Sequence, residues 1–375
     1  MSKTKNLTLK CVAIAIALVV SLLVIAGCNN SNSSSSQKKE DFSIDKLTCM
    51  TDLHLHLDGA ITVDNAKKLA SMQNIPIPAT DAELEKLIRV PEDCSDLNEF
   101  LTKFDFPCSL IQTKEGITAS VKNLLAELDQ QGVMYVEIRF APQKSMDKGL
   151  TQEQVVQAAL DGTKDSNVDC NFILCCMRGD DNKKLNMDTI DVTQKFLGKG
   201  VVAADLAGAE ALFKTETFKD VFEYAKSKNV PFTLHAGEAD GPESVKSALS
   251  FGTKRIGHGV NSRKDSALMK ELATKKIPLE MCPTSNVNTQ VFKSISEYPL
   301  KEFLDAGIIV TINTDDPAIE GTTIKGEFKK LIKEFNLGKD EIKDLLSNSI
   351  NSSFANDDTK AKMKNKLEDE FSKFN

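Results

Sequence analysis

Histidine is scarce in this chain of 375 residues, which contains only four of them. Histidines without a common role would fall partly on helices and loops, whereas these four all lie in short polar motifs at the ends of apolar runs. The motifs are Asp-Leu-His-Leu-His-Leu-Asp-Gly, Leu-His-Ala-Gly-Glu and Gly-His-Gly, and they contain His54, His56, His235 and His258. Together with a late carboxylate pair, Asp315 and Asp316, they indicate a hydrolytic metal centre.

The chain also has no excess of basic residues and no regularly spaced cysteine motif. The formal net charge is −7, and nucleic acid is not an expected partner, because binding it depends on a basic surface that neutralises phosphates. Beyond Cys11 and Cys28, seven cysteines remain, with no regular spacing and no Cys-x-x-Cys motif. A zinc site built from cysteines is therefore poorly supported, and most of these residues are expected to be small core side chains.

The N-terminal segment resembles a bacterial export signal. Lysines at positions 3, 5 and 10 precede an uncharged run from Cys11 to Gly27, and the segment ends in Ile-Ala-Gly-Cys. This ending resembles a lipobox, in which the signal is cut before the cysteine and the cysteine becomes the lipid-bearing N-terminus. Residues 1–27 are therefore predicted to be removed and Cys28 to be lipidated. An uncleaved signal anchor is the alternative, although the uncharged run of 17 residues is at the lower limit for a membrane span.

Residues 28–45 are predicted to form a flexible tether. The run rich in serine and asparagine after Cys28 and the Gln-Lys-Lys-Glu that follows cannot bury apolar surface. The domain that carries the chemistry then extends over residues 46–375, which is long enough for one large α/β barrel. We expect an exported enzyme, held at the outer face of the bacterial cell membrane by its lipid anchor.

Eight short apolar or β-branched runs alternate with amphipathic stretches along the chain. The runs cover residues 47–57, 134–141, 171–177, 201–206, 232–235, 255–258, 278–282 and 308–313. Apolar residues recur at helical spacing in stretches such as 117–131, 152–161, 218–228 and 266–275. Eight strand-helix units predict a TIM (β/α)8 barrel.

The polar motifs fall where a barrel enzyme needs them. In the first run, Asp52, His54, His56 and Asp58 alternate with leucines, so on a strand the polar set shares the face inside the barrel. Other polar motifs follow the later strands at their C-terminal ends, at positions 137–139, 205–210, 235–238, 258, 284–286 and 315–316. Barrel enzymes build their active sites at that end.

The longest connection, residues 59–132, separates the first two strands and is too long for an ordinary loop. We therefore predict a helical insertion there. One stripe within it has helical spacing and consists of Leu97, Phe100, Leu101 and Phe104. Such a stripe is ordinarily a core-facing helix surface, but its position above the mouth of the site also suits a lid.

The four histidines and the late aspartates can support metal-assisted hydrolysis. Two histidines two residues apart on one strand, His54 and His56, can reach the same ion, and His235 with a late aspartate can complete its ligands from across the barrel. Neutral imidazoles and a carboxylate favour a borderline ion such as zinc. Three residues beyond His235, Glu238 is placed to carry a proton beside the metal rather than to bind it. Histidines that only pack in the core, or a helix-capping Glu238, are the structural alternatives.

Six motifs in this order resemble the adenosine deaminase family, and the resemblance extends from about Lys46 to the end of the chain. The motifs are His54-Leu-His56-Leu-Asp58-Gly, Asp205-Leu-Ala-Gly208-Ala-Glu210, His235-Ala-Gly-Glu238, Ile256-Gly-His258-Gly, Cys282-Pro-Thr-Ser-Asn and Asn313-Thr-Asp315-Asp316-Pro317. The resemblance implies hydrolytic deamination of adenosine, and of 2′-deoxyadenosine, to inosine and ammonia with one zinc ion per chain.

The resemblance also implies a role for each matching residue. The zinc ligands correspond to His54, His56, His235 and Asp315. Glu238 corresponds to the residue that protonates N1 of the purine, and His258 to the one that orients the attacking water and helps to deprotonate it. The substrate contacts correspond to Asp316 at N7, the Gly208 N–H at N3 and Asp58 at the ribose 5′-hydroxyl. The stripe of Leu97, Phe100, Leu101 and Phe104 corresponds to an apolar lid over the pocket.

Other functions remain open from the sequence. Adenine deaminases share nearly all of these motifs, although Asp58 and the segment at 100–105 are more similar to the nucleoside enzymes. A two-metal amidohydrolase is disfavoured. The fourth strand contains Asp205 but no lysine that could form the carbamate bridging two metals. A nucleoside-binding lipoprotein would also suit the export signal, but binding alone does not need the full ligand set and Glu238. Ala209 departs from the acidic or amide residue that many family members carry there, and no catalytic group is lost by it.

Overall fold

The computed structural model describes residues 41–374. The predicted signal peptide, Cys28 and most of the predicted tether lie outside these residues. Within the described part of the chain, no helix combines the length and the apolar character that crossing a membrane would require.

Eight parallel strands form the centre of the fold. In chain order β1 to β8 they are Met50–His56, Val133–Phe140, Asp169–Met177, Val201–Ala207, Thr233–Ala236, Arg255–His258, Leu279–Met281 and Val310–Ile312. They pair in two four-stranded sets, β1 to β4 and β5 to β8. A bridge between Ala204 and Phe232 joins β4 to the start of β5, and a bridge between Leu55 and Asp315 joins β1 to the residues after β8. These two bridges close the barrel and confirm the predicted fold.

Helices surround the strands and follow them in sequence. Those of the insertion between β1 and β2, with the helix that leads into β2, are α1 to α5: Val63–Gln73, Asp81–Ile88, Leu97–Leu101, Asp105–Ser109 and Lys114–Gln130. Those between β2 and β8 are α6 to α12: Gln152–Asp161, Lys183–Phe196, Lys219–Ser227, Pro242–Phe251, Ser266–Lys275, Pro283–Asn288 and Leu300–Asp305. Those after β8 are α13 to α16: Pro317–Glu320, Ile324–Phe335, Lys339–Ser352 and Asp357–Ser372.

Strand β1 shows why these sequences form barrel strands. All seven of its residues are buried, as expected where helices cover one face of the sheet and the barrel interior covers the other. Leu53 and Leu55 belong to the hydrophobic core, while His54 and His56 meet the other histidines. Asp58 lies beyond the strand, in a short 3-10 turn that spans Asp58–Ala60, so the predicted alternation ends two residues earlier than the pattern indicates.

The predicted helical insertion is present. Asp96 caps helix α3: its side chain accepts hydrogen bonds from the N–H groups of Asn98 and Glu99, and this capping satisfies donors that the first turn leaves free. The helix ends at Leu101, and a 3-10 turn, Thr102–Phe104, continues it. Phe104 therefore lies in a 3-10 turn and not in a continuous α-helix.

Candidate active site

The four histidines converge at the C-terminal end of the barrel. His54 and His56 come from β1, His235 from β5 and His258 from β6. Nε2 of His235 lies 3.0 Å from Nε2 of His54 and 3.3 Å from Nε2 of His56. Asp315, just after β8, places Oδ1 3.2 Å from Nε2 of His54 and 3.4 Å from Nε2 of His56. The structure thus brings together the four residues that the sequence predicts as metal ligands.

His258 completes this group from the opposite side. Its Nε2 lies 3.6 Å from Oδ2 of Asp315 and 3.7 Å from Oε2 of Glu238. One set of donor atoms that all lie within 4.8 Å of one another contains His258 with His54, His235 and Asp315. His258 therefore lies as close to these donor atoms as the predicted metal ligands do, although the sequence predicts a role with the attacking water for it.

Backbone strain accompanies two of these residues. His258 has a φ of 59° and Asp315 a φ of 69°, which is the left-handed region that residues with a side chain rarely occupy. Such a conformation costs about 1–3 kcal/mol and persists only where the surrounding structure holds it. Asp315 is held through both backbone groups, because its N–H donates to the His54 carbonyl and its carbonyl accepts from the His56 N–H, both at 2.8 Å.

A buried carboxylate faces the outer ring nitrogen of each of two histidines. Nδ1 of His54 lies 2.8 Å from Oε2 of Glu280, and Nδ1 of His235 lies 2.9 Å from Oδ2 of Asp205. A carboxylate in this position keeps the ring proton on Nδ1 and leaves the lone pair on Nε2. A neutral imidazole held in this way presents its Nε2 lone pair to the other predicted ligands.

A fully buried arginine links these two carboxylates. Arg139 donates to Asp205 at 2.9 Å, to Glu280 at 2.8 Å and to the Leu53 carbonyl at 2.7 Å. Burial opposes the ionisation of Glu280, but Arg139 and Arg255 outweigh it and hold the pKa of this carboxyl well below its usual range. Burial also opposes the ionisation of Asp205, but His235 and Arg139 outweigh it and lower the pKa of this carboxyl. Both carboxylates are therefore ionised.

The converging atoms fit a divalent cation. The Nε2 atoms of His54 and His235 lie 3.0 Å apart, and a carboxylate oxygen of Asp315 faces both. Burial holds the pKa of His56 well below its usual value, so its ring is neutral as well. Burial opposes ionisation of Asp315, but His54 and His258 outweigh it and hold the pKa of Asp315 well below its usual range. Acceptors cannot satisfy one another by hydrogen bonding, whereas three imidazole nitrogens and one carboxylate are a donor set that suits zinc.

Glu238 lies on a loop that a second carboxylate holds in place. Glu210 accepts hydrogen bonds from four consecutive backbone N–H groups, those of Gly237, Glu238, Ala239 and Asp240. Burial, with smaller contributions from Asp315 and Glu210, raises the pKa of Glu238 well above its usual range. Burial therefore favours the protonated form of Glu238 beside the predicted metal ligands, which is the form that a proton donor needs.

Asp316 is the second carboxyl group at the site whose pKa is raised. Burial raises its pKa well above the usual range, and Asp315, Asp58 and Glu238 contribute to the shift. Its Oδ1 is buried and has no hydrogen-bond partner among the described residues. Gly59 makes room for this side chain, because a Cβ at position 59 would lie 1.8 Å from Oδ1 of Asp316.

An inner cavity lies against these groups, and the predicted lid covers it. Its polar lining includes His56, His235, Glu238, His258, Asp315, Asp316 and the backbone at Gly208. Its apolar lining is the predicted stripe of Leu97, Phe100, Leu101 and Phe104. The stripe packs on Val90, Cys94 and Ile319 in a small hydrophobic cluster that is separate from the main core. The stripe is thus both packed and part of the pocket wall.

A larger outer chamber of about 590 Å³ adjoins the inner cavity. The two share His56, Leu101, Phe104, Ala207 and Gly208. Asp58 lines only the outer chamber, where one carboxylate oxygen accepts from the Cys108 thiol at 3.5 Å and the other has no partner among the described residues. A volume of this size is ordinary for a small-molecule site.

Comparison with known proteins identifies the family. A family model described as adenosine deaminase matches residues 49–370. An adenosine deaminase of Haemophilus ducreyi is 46% identical over 320 residues, which cover 83% of this chain and 93% of that protein. The chain belongs to the adenosine deaminase family. It is accordingly a deaminating hydrolase.

Solved structures of related enzymes have the same fold. An adenine deaminase from Arthrobacter aurescens superposes with a TM-score of 0.78 at 26% identity, over 86% of this chain and 98% of that one. An amidohydrolase from Burkholderia ambifaria with bound zinc superposes with a TM-score of 0.76 at 20% identity, over 87% of this chain and 91% of that one. At the latter identity the likeness concerns the fold alone.

Several residues that organise this family site were not predicted from the sequence. Glu280 and Arg139 have no assigned role in the sequence analysis, and Glu210 and Asp205 appear there only as parts of motifs. A charged residue inside an otherwise apolar strand, such as Glu280 in Pro-Leu-Glu-Met-Cys, is the signal that could have identified them. Such a residue is buried by its strand and needs a partner.

Proposed function

We propose that this protein hydrolytically deaminates adenosine, and 2′-deoxyadenosine, to inosine and ammonia with one zinc ion per chain. The observation that carries the proposal is the contrast between two neighbouring sets of groups. Three imidazoles and the carboxylate of Asp315 converge, while the buried carboxyl groups of Glu238 and Asp316, whose pKa values are raised by burial, line the same cavity. The first set suits a metal ion and the second suits the nitrogens of a purine.

The metal would be held by His54, His56, His235 and Asp315. The family and the donor set support zinc. A bound divalent ion lowers the pKa of a water molecule toward neutrality, so that hydroxide is available at physiological pH. Glu280 and Asp205 serve the site by fixing the rings of His54 and His235.

Addition of water at C6 of a purine destroys the aromaticity of the ring, so the base needs protons and hydrogen bonds as the reaction proceeds. The raised pKa of Glu238 favours its acid form, which would donate a proton to N1. The raised pKa of Asp316 likewise favours the acid form, which would donate a hydrogen bond to N7, an acceptor. The backbone N–H of Gly208 would donate to N3, and its φ of 107° is one that glycine adopts without strain.

His258 would hold the attacking water beside C6. Burial lowers its pKa well below the usual value, so the ring is neutral. The side-chain nitrogen of Asn286 lies 3.2 Å from Nδ1 of His258 and donates to it, which places the ring proton on Nε2. A proton on Nε2 favours the orienting part of the predicted role, because that nitrogen then donates to the water oxygen.

A second candidate is deamination of the free base, which the adenine deaminase from Arthrobacter aurescens makes relevant. The outer chamber favours the nucleoside, since a ribose attached to a base in the inner cavity has space there and Asp58 can accept a hydrogen bond from its 5′-hydroxyl. Equal amounts of adenosine, 2′-deoxyadenosine and adenine offered to the purified protein, with ammonia measured, test this choice. The proposal predicts release from both nucleosides. Release from adenine alone would overturn it.

The export signal leads to a separate proposal about location. We propose that Cys28, which lies outside the described residues, carries a lipid that anchors the enzyme to the outer face of the cell membrane. The support is the sequence pattern of residues 1–28 alone. Radiolabelled fatty acid should be incorporated into the full chain and not into Cys28→Ala, with Cys11→Ala as the matched control. Label that persists in Cys28→Ala would contradict the proposal.

A further inference from the structure

Gln143 lines the outer chamber with an oxygen that no other described residue satisfies. The residue lies in the turn after β2, in the 3-10 segment Pro142–Ser145, and it contributes to the chamber wall together with Asp58. Its Oε1 is buried and has no hydrogen-bond partner among residues 41–374. A buried acceptor without a partner costs free energy, so a bound ligand that supplies a donor would relieve this cost.

The neighbouring Asn186 fixes the orientation of the Gln143 side-chain amide, so that its nitrogen and not its oxygen faces Asn186. The side chain of Asn186 is fully buried and bonded twice to the backbone of Met177: its Oδ1 accepts from the N–H and its Nδ2 donates to the carbonyl. Backbone groups cannot exchange these roles, so the orientation of Asn186 is fixed. Nε2 of Gln143 donates to the same Oδ1 at 2.8 Å. The nitrogen of Gln143 is therefore committed to Asn186, and Oε1 is the atom left for a ligand.

Among residues 41–374, the chamber wall thus has two buried acceptors without a donor, Oε1 of Gln143 and Oδ1 of Asp58, and one buried donor without an acceptor, Nε of Arg178. A ligand group that suits such a wall carries hydroxyl or amine hydrogens. The ribose of a nucleoside carries three hydroxyls, and the family resemblance assigns the 5′-hydroxyl to Asp58. The 2′,3′-diol is the donor pair that remains.

We propose that Gln143 is a specificity-determining residue whose Oε1 accepts a hydrogen bond from a hydroxyl on the 2′,3′ edge of the ribose. The inference rests on the proposed function, because it takes the ribose to lie in the outer chamber. Gln143 distinguishes ribonucleosides from the deoxynucleoside that lacks its partner hydroxyl, and it takes no part in the chemical step.

The test is a comparison of kcat/KM among adenosine, 2′-deoxyadenosine and 3′-deoxyadenosine. Gln143→Met keeps the length of the side chain and removes the acceptor. Gln157→Met is the matched control, because Gln157 lies exposed on α6 and its amide bonds only Asp161 in the described chain. A neutral hydrogen bond corresponds to a preference of roughly 3- to 10-fold. The wild type and Gln157→Met should show this preference for adenosine over one of the two deoxynucleosides.

In Gln143→Met that preference should fall to within about twofold. The ribose hydroxyl then has no acceptor at position 143, so removal of the hydroxyl from the substrate no longer costs a hydrogen bond. Each ratio is measured within one variant, so a general loss of stability or activity does not change it. Unchanged ratios for both deoxynucleosides in Gln143→Met would overturn the inference and leave the proposed function intact. A wild type that does not deaminate adenosine would instead overturn the proposed function.

Discussion

Nδ1 of His54 lies 2.8 Å from Oε2 of Glu280, and solvent reaches neither side chain. The contact joins a predicted metal ligand on β1 to a carboxylate on β7, across the interior of the barrel. Glu280 also accepts from Arg139, Arg255 and Thr233, so its position is determined from several sides. The orientation of the His54 ring is therefore set by a network that extends well below the substrate cavity.

Glu280→Gln should weaken zinc binding by about 10- to 100-fold, because residues that orient a metal-ligating histidine contribute to affinity on this scale. The measurement is competition with a chelator of known affinity, on protein loaded with zinc. Glu271→Gln is the control, since Glu271 is a surface carboxylate paired with Lys275 on α10. Zinc affinity that is the same in Glu280→Gln and the wild type would contradict the orienting role.

Arg139→Met should destabilise the barrel by about 3–5 kcal/mol, because removal of one partner from a buried ion pair leaves its charges uncompensated. Here Asp205 and Glu280 would both lose their guanidinium partner. Denaturant unfolding of the metal-free protein measures this effect without the contribution of zinc. Arg263→Met is the control, because the pair of Arg263 with Glu302 lies at the surface and should contribute less than about 1 kcal/mol. Equal losses in the two variants would refute the structural role of Arg139.

Glu238→Gln should retain the fold and the metal but lower kcat for adenosine by roughly 10²- to 10⁴-fold, the usual contribution of a positioned proton donor. The amide cannot protonate N1, although it has nearly the same shape as the acid. Zinc content and kcat are measured on the same preparation. Glu243→Gln, at an exposed position in the first turn of α9, serves as the control. A kcat for Glu238→Gln close to that of the wild type would exclude this residue as the proton donor.

Gly59→Ala should lower kcat/KM by about 100-fold, since displacement of a catalytic or binding group by about 1 Å can cost this much. The new methyl group would overlap the carboxylate of Asp316 and push it out of position. Gly241→Ala is the control, because no atom of the described residues lies within 4 Å of a Cβ at position 241. Steady-state kinetics of both variants give the comparison. Wild-type kinetics in Gly59→Ala would show that Asp316 has room to move without consequence.

Local patterns in the sequence were sufficient for the barrel. The predicted strand at 278–282 contains β7, Leu279–Met281, and the predicted strand at 255–258 coincides with β6. Short apolar runs bounded by polar residues define such strands, because parallel barrel strands are buried on both faces. The end of β1 was less well predicted, because the turn at Asp58 depends on Gly59 and on the approach of Asp316 from the other end of the barrel domain.

The supporting network could not be predicted in this way. Arg139 and Glu280 are 141 residues apart in the sequence, and their contact follows from the register of strands across a closed barrel. Local sequence does not encode that register. The same reason applies to Gln143, whose orientation depends on Asn186 on α7. The boundaries of the signal peptide and tether stay predictions, because they fall outside or at the edge of residues 41–374.

The central claim is that zinc held by the converging histidines and Asp315 supports adenosine deamination. The most direct test removes metal from the purified protein with a chelator, then adds zinc in steps while the ultraviolet change from adenosine to inosine is followed. The account predicts no turnover without metal and a rate that rises in proportion to zinc until one ion per chain is bound. Full turnover by the metal-free protein, or adenosine binding without turnover at any zinc level, would contradict it.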